Sequence, residues 1–299
     1  MSWIYFVILA TFMWSITNII DKYLVDKRIK SPLIVFIFMR IISIIPVIIL
    51  IPILNIGVPN LYFLPFIFVS AVLMTLGIII YYKIVEIEEI SVSIPLFQFI
   101  PIFTLLMAFS LLGERLASMD YLGFLILILG GFVISIKRVS GLFRIGKVFW
   151  FVILASLVFS ASYVIIKFVL NYVNYWETLI WVWIFGIFTT MPILFSGKIR
   201  GKFKYYYSKI NRNDWGILFT NTIISILGSA SYYFAINIGP ISPIQASENI
   251  QMIFVFIFAL LLTRFYPHIL KERFDIRALM QKILGMILII IGVLLIQLF

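Results

Sequence analysis

The sequence predicts an all-α membrane protein of ten transmembrane helices arranged as two inverted five-helix repeats. Three observations carry that prediction. Hydrophobic residues make up 64% of the 299 and charged residues only 12%, which leaves too little polar surface to cover a water-soluble globule and excludes disorder. The apolar residues fall into ten runs of about 20, the length that crosses a hydrocarbon core of about 30 Å. The second half of the chain also repeats features of the first.

The runs are 3–20, 33–54, 61–82, 92–112, 120–136, 148–170, 176–196, 215–236, 241–263 and 279–298. They are continuously apolar and do not alternate at period two, so helices are expected and not a β-barrel. The first run follows Met1 and Ser2 directly, without the basic start of a cleavable signal, and is read as an uncleaved helix. Breaks between runs carry turn residues, as in Asn55-Ile56-Gly57-Val58-Pro59-Asn60 and Gly239-Pro240-Ile241-Ser242-Pro243. No segment remains for a soluble domain.

The net charge of +11 is a topology signal. Twenty of the 23 Lys and Arg residues fall on the side of the odd-numbered loops, including Lys27, Arg28, Arg144, Lys202, Arg273 and, at the start of the tenth run, Lys282. The even side has only Arg115 and, near the end of the sixth run, Lys167, and Arg40 lies inside the second run. The positive-inside rule makes the odd loops cytoplasmic and puts both termini outside. Nucleic acid is therefore not an expected partner; membrane lipid is.

Several chemistries are excluded. There is no cysteine and one histidine, His268, so thiol nucleophiles, thiolate metal sites and His-based metal sites are absent. The runs hold no Asp pair, and no phosphate-binding loop or dinucleotide fingerprint occurs. The chain is expected to be no enzyme and to need no cofactor.

The repeat rests on four matches in the same order. Phe12-Met13-Trp14-Ser15 leading to Lys22 matches Leu157-Val158-Phe159-Ser160 leading to Lys167 at an offset of 145. Tyr81-Tyr82 before Ile90-Ser91 matches Tyr232-Tyr233 before Ile241-Ser242 at an offset of 151. Gly123 and Gly130 in the fifth run match Gly285 and Gly292 in the tenth, and Gly-Glu-Arg-Leu at 113–116 echoes Lys-Glu-Arg-Phe at 271–274. The boundary is set at residue 140, giving repeats 1–140 and 141–299. Five runs per repeat turn the second copy upside down, the plan of secondary transporters with a site between the halves near the midplane.

The early Trp14-Ser15 with Lys22, the stretch from Pro95 through Pro101 to Gly113-Glu114-Arg115, and the Gly-rich fifth and tenth runs resemble the EamA-type family of the drug/metabolite transporter superfamily. The resemblance covers nearly the whole chain. It implies a ten-helix transporter whose central cavity is lined mainly by helices 1, 3, 4, 6, 8 and 9, with relatives that export amino acids or other small metabolites and several that move drugs or nucleotide sugars. The chain departs from the pattern at Lys271-Glu272, which stands where the first repeat has Gly113-Glu114. Its charge bias also points to external termini where many relatives have cytoplasmic ones.

Candidate binding residues are the polar ones inside the runs, because a charge at the bilayer centre costs at least about 2.5–3.5 kcal/mol and marks protein or water. Glu248 lies eight residues into the ninth run, among Gln245, Ser247, Asn249 and Gln251. Gln245, Glu248 and Gln251 recur every three residues along one side of a helix. They form either a cavity wall, with Glu248 taking a proton, a cation or a substrate amine, or an interhelical hydrogen-bonded cluster; the cavity is the expectation. Gln98 aligns with Asn249 at the offset of 151. Trp14, Asn18, Tyr82 and Tyr233 complete the candidate set. Arg40 could attract a substrate carboxylate, or snorkel along its helix or pair with Asp21 or Asp26; the structural role is the expectation, because helix 2 is usually peripheral in the family that the chain resembles. Lys167 is expected to complement the negative end of its own helix.

The expected function is secondary transport of small metabolites across the plasma membrane by alternating access, as an exporter of amino acids or related compounds, with proton coupling resting on Glu248. A multidrug or cation exporter, a scaffold and a channel subunit are the alternatives. The expected partners are a small-molecule substrate and lipid, and the protein is expected to be a monomer or homodimer.

Overall fold

The computed structural model describes residues 3–87, 99–135, 147–265 and 276–298. Among them there are helices and no strands. Thirteen α-helices follow in order: α1 Trp3–Leu24, α2 Pro32–Ile42, α3 Ile44–Ile53, α4 Leu64–Ile87, α5 Phe99–Met107, α6 Ser118–Ser135, α7 Lys147–Leu170, α8 Tyr175–Thr190, α9 Gly197–Lys209, α10 Arg212–Ile238, α11 Ile241–Ser247, α12 Ile250–Phe265 and α13 Ile276–Leu298. Eight segments are long and apolar enough to cross a membrane, and Phe99–Leu112 and Ser118–Val133 are shorter apolar helices. Their outward faces carry exposed Ile45, Ile48, Ile49, Leu125, Leu129, Leu284 and Ile290, side chains that lipid and not water would cover. The chain is a multi-pass membrane protein.

Local chemistry sets the ends. Asn211 accepts from the Asp214 backbone N–H at 2.9 Å while Asp214 accepts from that of Asn211, a reciprocal capping box opening α10. Asn174 caps α8 through the Trp176 N–H at 2.8 Å. Gly113, at φ 68°, ends the fourth span in the left-handed region that favours glycine.

Two predicted spans are broken. The second divides at Ser43 into α2 and α3, because Pro46 lacks the N–H that would reach back to Ile42 and its ring crowds that carbonyl. The ninth divides at Glu248–Asn249 into α11 and α12. A helix the sequence did not reveal, α9, occupies a basic loop. Its Ile199, Phe203 and Tyr206 pack on a cluster around Phe38 and Leu218, with the Phe38 and Phe203 rings 4.8 Å apart.

Helices pack in pairs that correspond when the halves are exchanged. Helix α1 lies against α10 as α7 does against α4, α1 against α12 as α7 against α5, and α6 packs along α13. Individual contacts correspond too. The Ser15 hydroxyl donates to the Gln251 carbonyl at 3.2 Å, and the Ser160 hydroxyl to the Ile100 carbonyl at 2.8 Å, at the sequence offsets of 145 and 151. Gly228 lies under the Trp14 ring as Gly77 lies under the Phe159 ring. Val7, Ala10, Thr11 and Ser15 of α1 are fully buried, and so are Val152, Ala155, Ser156 and Ser160 of α7. On α6 and α13, Gly123 meets Gly292 and Gly130 meets Gly285, with no space for a Cβ at the crossing.

Candidate functional site

A cavity of about 260 Å³ lies among α1, α2, α4, α7, α8 and α10, with wall residues from both halves of the chain. One part of its wall is aromatic: Trp14, Tyr163, Trp183, Tyr232 and Tyr233. The Trp14 and Tyr232 rings are 5.1 Å apart, and those of Tyr163 and Tyr232 are 5.6 Å apart. Another part carries Arg40, Ser43, Thr222 and Ser225 beside Phe36 and Met39.

Arg40 sits one turn before the break in the second span. The Ser43 hydroxyl donates to the Arg40 carbonyl at 2.7 Å, closing the chain around the break. The guanidinium carbon lies 5.1 Å from the centre of the Phe36 ring, a cation–π contact. Its other flank faces Gly186, where a Cβ would approach Nη1 to 3.0 Å. Helix α2 is thus not peripheral, and Arg40 stands on the cavity wall. Asp21, one of its expected partners, accepts from the Asn221 amide at 2.7 Å.

The break in the ninth span lies behind the aromatic wall. Its turn is made by the Glu248 and Asn249 N–H groups, donating to the Gln245 and Ala246 carbonyls at 3.3 Å each. The Asn249 amide donates to the Leu127 carbonyl at 3.3 Å, which fastens the break to α6. The Tyr232 hydroxyl donates to Gln245 Oε1 at 3.2 Å and, with Gln245, lies within hydrogen-bonding reach of the Glu248 carboxylate. Glu248 Oε1 and Ser247 Oγ are buried without a hydrogen-bond partner among the described residues. Tyr232 is fully buried and separates the two regions: its ring lines the cavity and its hydroxyl reaches the break.

The structure distributes the candidate residues accordingly. Trp14 and Tyr233 line the cavity. Gln245, Glu248 and Asn249 gather at the break and not on that wall, because the helix that would carry them as a continuous stripe is interrupted there. Asn18 is exposed and does not line the cavity. Gln98 and the Tyr82 side chain lie outside the described residues. The second and seventh spans contribute wall residues that the resemblance did not include, namely Arg40 and Ser43 from one and Val182, Trp183 and Gly186 from the other. Arg40 had a visible signal as a charge inside an apolar run. The small residues Ser225, Ser229 and Gly186 had none.

One end of the seam is held by opposite charges. The Glu114 carboxylate accepts from the Ile241 N–H at 2.8 Å and the Ser242 N–H at 3.0 Å, at the start of α11. The Lys167 ammonium donates to the Ile236 carbonyl at 2.7 Å and the Gly239 carbonyl at 2.8 Å, at the end of α10. Lys167 therefore complements a helix C-terminus as expected of its charge, but that of α10 and not its own.

Gly228 makes room for the Trp14 ring on the cavity wall. A Cβ there would lie 2.8 Å from Trp14 Cδ1 and Nε1, so alanine must push the rigid indole aside. The expected result for Gly228→Ala is a changed tryptophan emission spectrum and weaker binding of whatever ligand the cavity takes, with the helix content measured by circular dichroism preserved.

Residues 1–136 match the EamA-like transporter family, a finding consistent with the drug/metabolite transporter superfamily. No curated protein matches the chain. A solved crystal structure of another protein shares the fold, with a TM-score of 0.70 at 14% identity over 99% of this chain and 98% of that one.

Proposed function

We propose that this chain is a secondary transporter that carries small metabolites across the plasma membrane by alternating access, exporting amino acids or related compounds. The observation that carries the proposal is the cavity of about 260 Å³ on the seam between the halves, walled by both of them. The corresponding contact pairs support two repeats, 1–140 and 141–299, that are equivalent under exchange. With an odd number of spans in each, the second copy is inverted, and trading conformations between the copies moves the opening from one face to the other. The family match ends at residue 136, beside the proposed boundary. The cavity falls below the roughly 300–1,000 Å³ of pockets for drug-sized ligands, which favours small metabolites over bulky drugs. The excess of Lys and Arg in the odd loops orients the protein with both termini outside.

Glu248 is the coupling group in this proposal. A carboxylate inside the membrane with an unpartnered buried oxygen is stabilised by taking a proton, and Tyr232 connects it to the cavity. In proteoliposomes, Glu248→Gln is expected to abolish proton-driven accumulation while leaving exchange of substrate for substrate intact. Unchanged proton-driven accumulation in the variant would remove Glu248 from the mechanism. Absence of any carrier-type exchange by the wild type, across a panel of amino acids and organic acids, would remove the transport proposal itself.

A further inference from the structure

Helix α9 is charged for a partner that the cavity does not involve. Its 13 residues include Lys198, Arg200, Lys202, Lys204 and Lys209 and no acidic residue. All five cations are exposed. Among the described residues, Lys198, Arg200, Lys202 and Lys204 have no hydrogen-bond or ion-pair partner. Ile199, Phe203 and Tyr206 pack on the cluster around Phe38 and Leu218. At about 3.6 residues per turn these three share one side of the helix. Arg200 and Lys204 then fall on one flank of that side, and Lys198, Lys202 and Lys209 on the other.

The tether selects the partner. Ser196 alone separates α9 from the apolar segment Tyr175–Phe195, and Ile210 and Asn211 alone separate it from Arg212–Ile238. Both ends are therefore fixed where a span leaves the hydrocarbon. A helix about 20 Å long held in this way stays in the headgroup layer. Phe195, Tyr205 and Tyr207, all exposed, suit that layer, where aromatic side chains collect. Orientation of the chain requires cations on this side but no helix; α9 also folds them into a fixed array. We propose that α9 docks on anionic phospholipid, with its cations on the headgroup phosphates of the adjoining leaflet. Each cation near such a surface adds about fivefold to the affinity. The bound lipid also holds α9 on the cluster beneath it, where the Phe38 ring lies 4.8 Å from Phe203 and 5.5 Å from Trp215. Lipid on α9 thereby stabilises the packing of α2 against α10. This requires the membrane embedding but not the transport reading.

The test uses the full-length protein purified in dodecyl maltoside, with four probes: dioleoylphosphatidylglycerol, dioleoylphosphatidylcholine, inorganic phosphate and polyglutamate. Phosphatidylglycerol is expected to raise the melting temperature, since a ligand that binds the native state stabilises it. It should also remain bound in native mass spectrometry. The other three should do neither, and the shift should vanish near 1 M salt, where screening acts within about 3 Å. The fourfold variant K198Q/R200Q/K202Q/K204Q should melt as the wild type does without lipid and need at least about a hundredfold more phosphatidylglycerol for the same shift. The control K27Q/K30Q, which removes two exposed cations from the same side, should keep the shift. No shift with phosphatidylglycerol, or an equal one with phosphatidylcholine, phosphate or polyglutamate, overturns the proposal. These wild-type comparisons do not depend on how well a variant folds. A full shift in the fourfold variant would move the lipid site away from α9, and an equal loss in the control would reduce it to net charge; either overturns the proposal. No flux enters these readings, so failure of the transport reading leaves them as they stand.

Discussion

Gly292→Leu is expected to leave little folded protein in membrane extracts, with the monodisperse peak lost in size-exclusion chromatography. At Gly292 a Cβ would stand 2.8 Å from the Gly123 carbonyl oxygen, 2.8 Å from Leu127 Cγ and 2.9 Å from the Leu127 backbone nitrogen. Two of these three neighbours are main chain, which no rotamer change can move. Helices α6 and α13 would have to separate along their whole contact, giving up the buried packing of Phe124, Leu127, Ile289 and Ile296. In lipid no hydrophobic force drives the helices together again, so close packing is what joins them. The expected loss exceeds the roughly 1–3 kcal/mol usual for overpacking. Gly123→Leu should fail in the same way, while Gly201→Ala, which meets nothing within 4 Å, should behave as wild type. Normal yield and melting temperature for Gly292→Leu would show that the crossing is not as tight as described.

Glu114→Ala is expected to cost about 2–4 kcal/mol, from two charge-assisted hydrogen bonds at about 1.5–3 kcal/mol each, reduced because the carboxylate is only half-buried and water takes over part of its role. Differential scanning fluorimetry should show a fall of several degrees, with Glu114→Gln in between, since an amide has one acceptor oxygen and no charge. The same bonds join the end of the fourth span to the start of the ninth, so their loss should also loosen that end of the seam. The chain contains no cysteine, so a single cysteine introduced beside Gly239 can report this as faster labelling by a polar maleimide in the alanine variant. Equal labelling rates would mean that the carboxylate fixes a helix end without holding the seam closed.

Much of the helical plan was legible in the sequence because length and hydropathy alone decide it. The apolar runs were placed within a few residues where the structure describes them, and the glycines seven apart at 123 and 130 and at 285 and 292, read in the sequence as a mark of the repeat, lie at the α6–α13 crossing. The breaks at Ser43 and Glu248 were not foreseen. Pro46 lies in so apolar a run that hydropathy carries the run straight through it, and no proline or glycine marks Glu248–Asn249. Helix α9 escaped because its polar and basic residues outnumber Ile199, Phe203 and Tyr206, which gain meaning only from the cluster they cover. Polarity within an apolar run singled out Glu248, Gln245 and Asn249, which gather at the helix break and not on the cavity wall, whereas Trp14 and Tyr233 line the cavity. Arg40 was assigned a structural role because helix 2 is usually peripheral in the family that the chain resembles, whereas here α2 reaches the cavity wall. The break in the second span, which spacing does not reveal, separates Arg40 on α2 from the run that follows it.

The crossing of α6 and α13 has one more consequence. Exchanging the halves turns the contact of Gly123 with Gly292 into that of Gly285 with Gly130, so this crossing maps onto itself, and it is the most extensive of the contacts that do, the others being those of α5 with α11 and of α2 with α8. In the proposed carrier it is the fulcrum of a seesaw: both arms swing and the pivot stays where it is. Spin labels on the lipid-facing sides of α6 and α13 should therefore report one distance throughout the cycle, while pairs spanning α1 and α10 should report two.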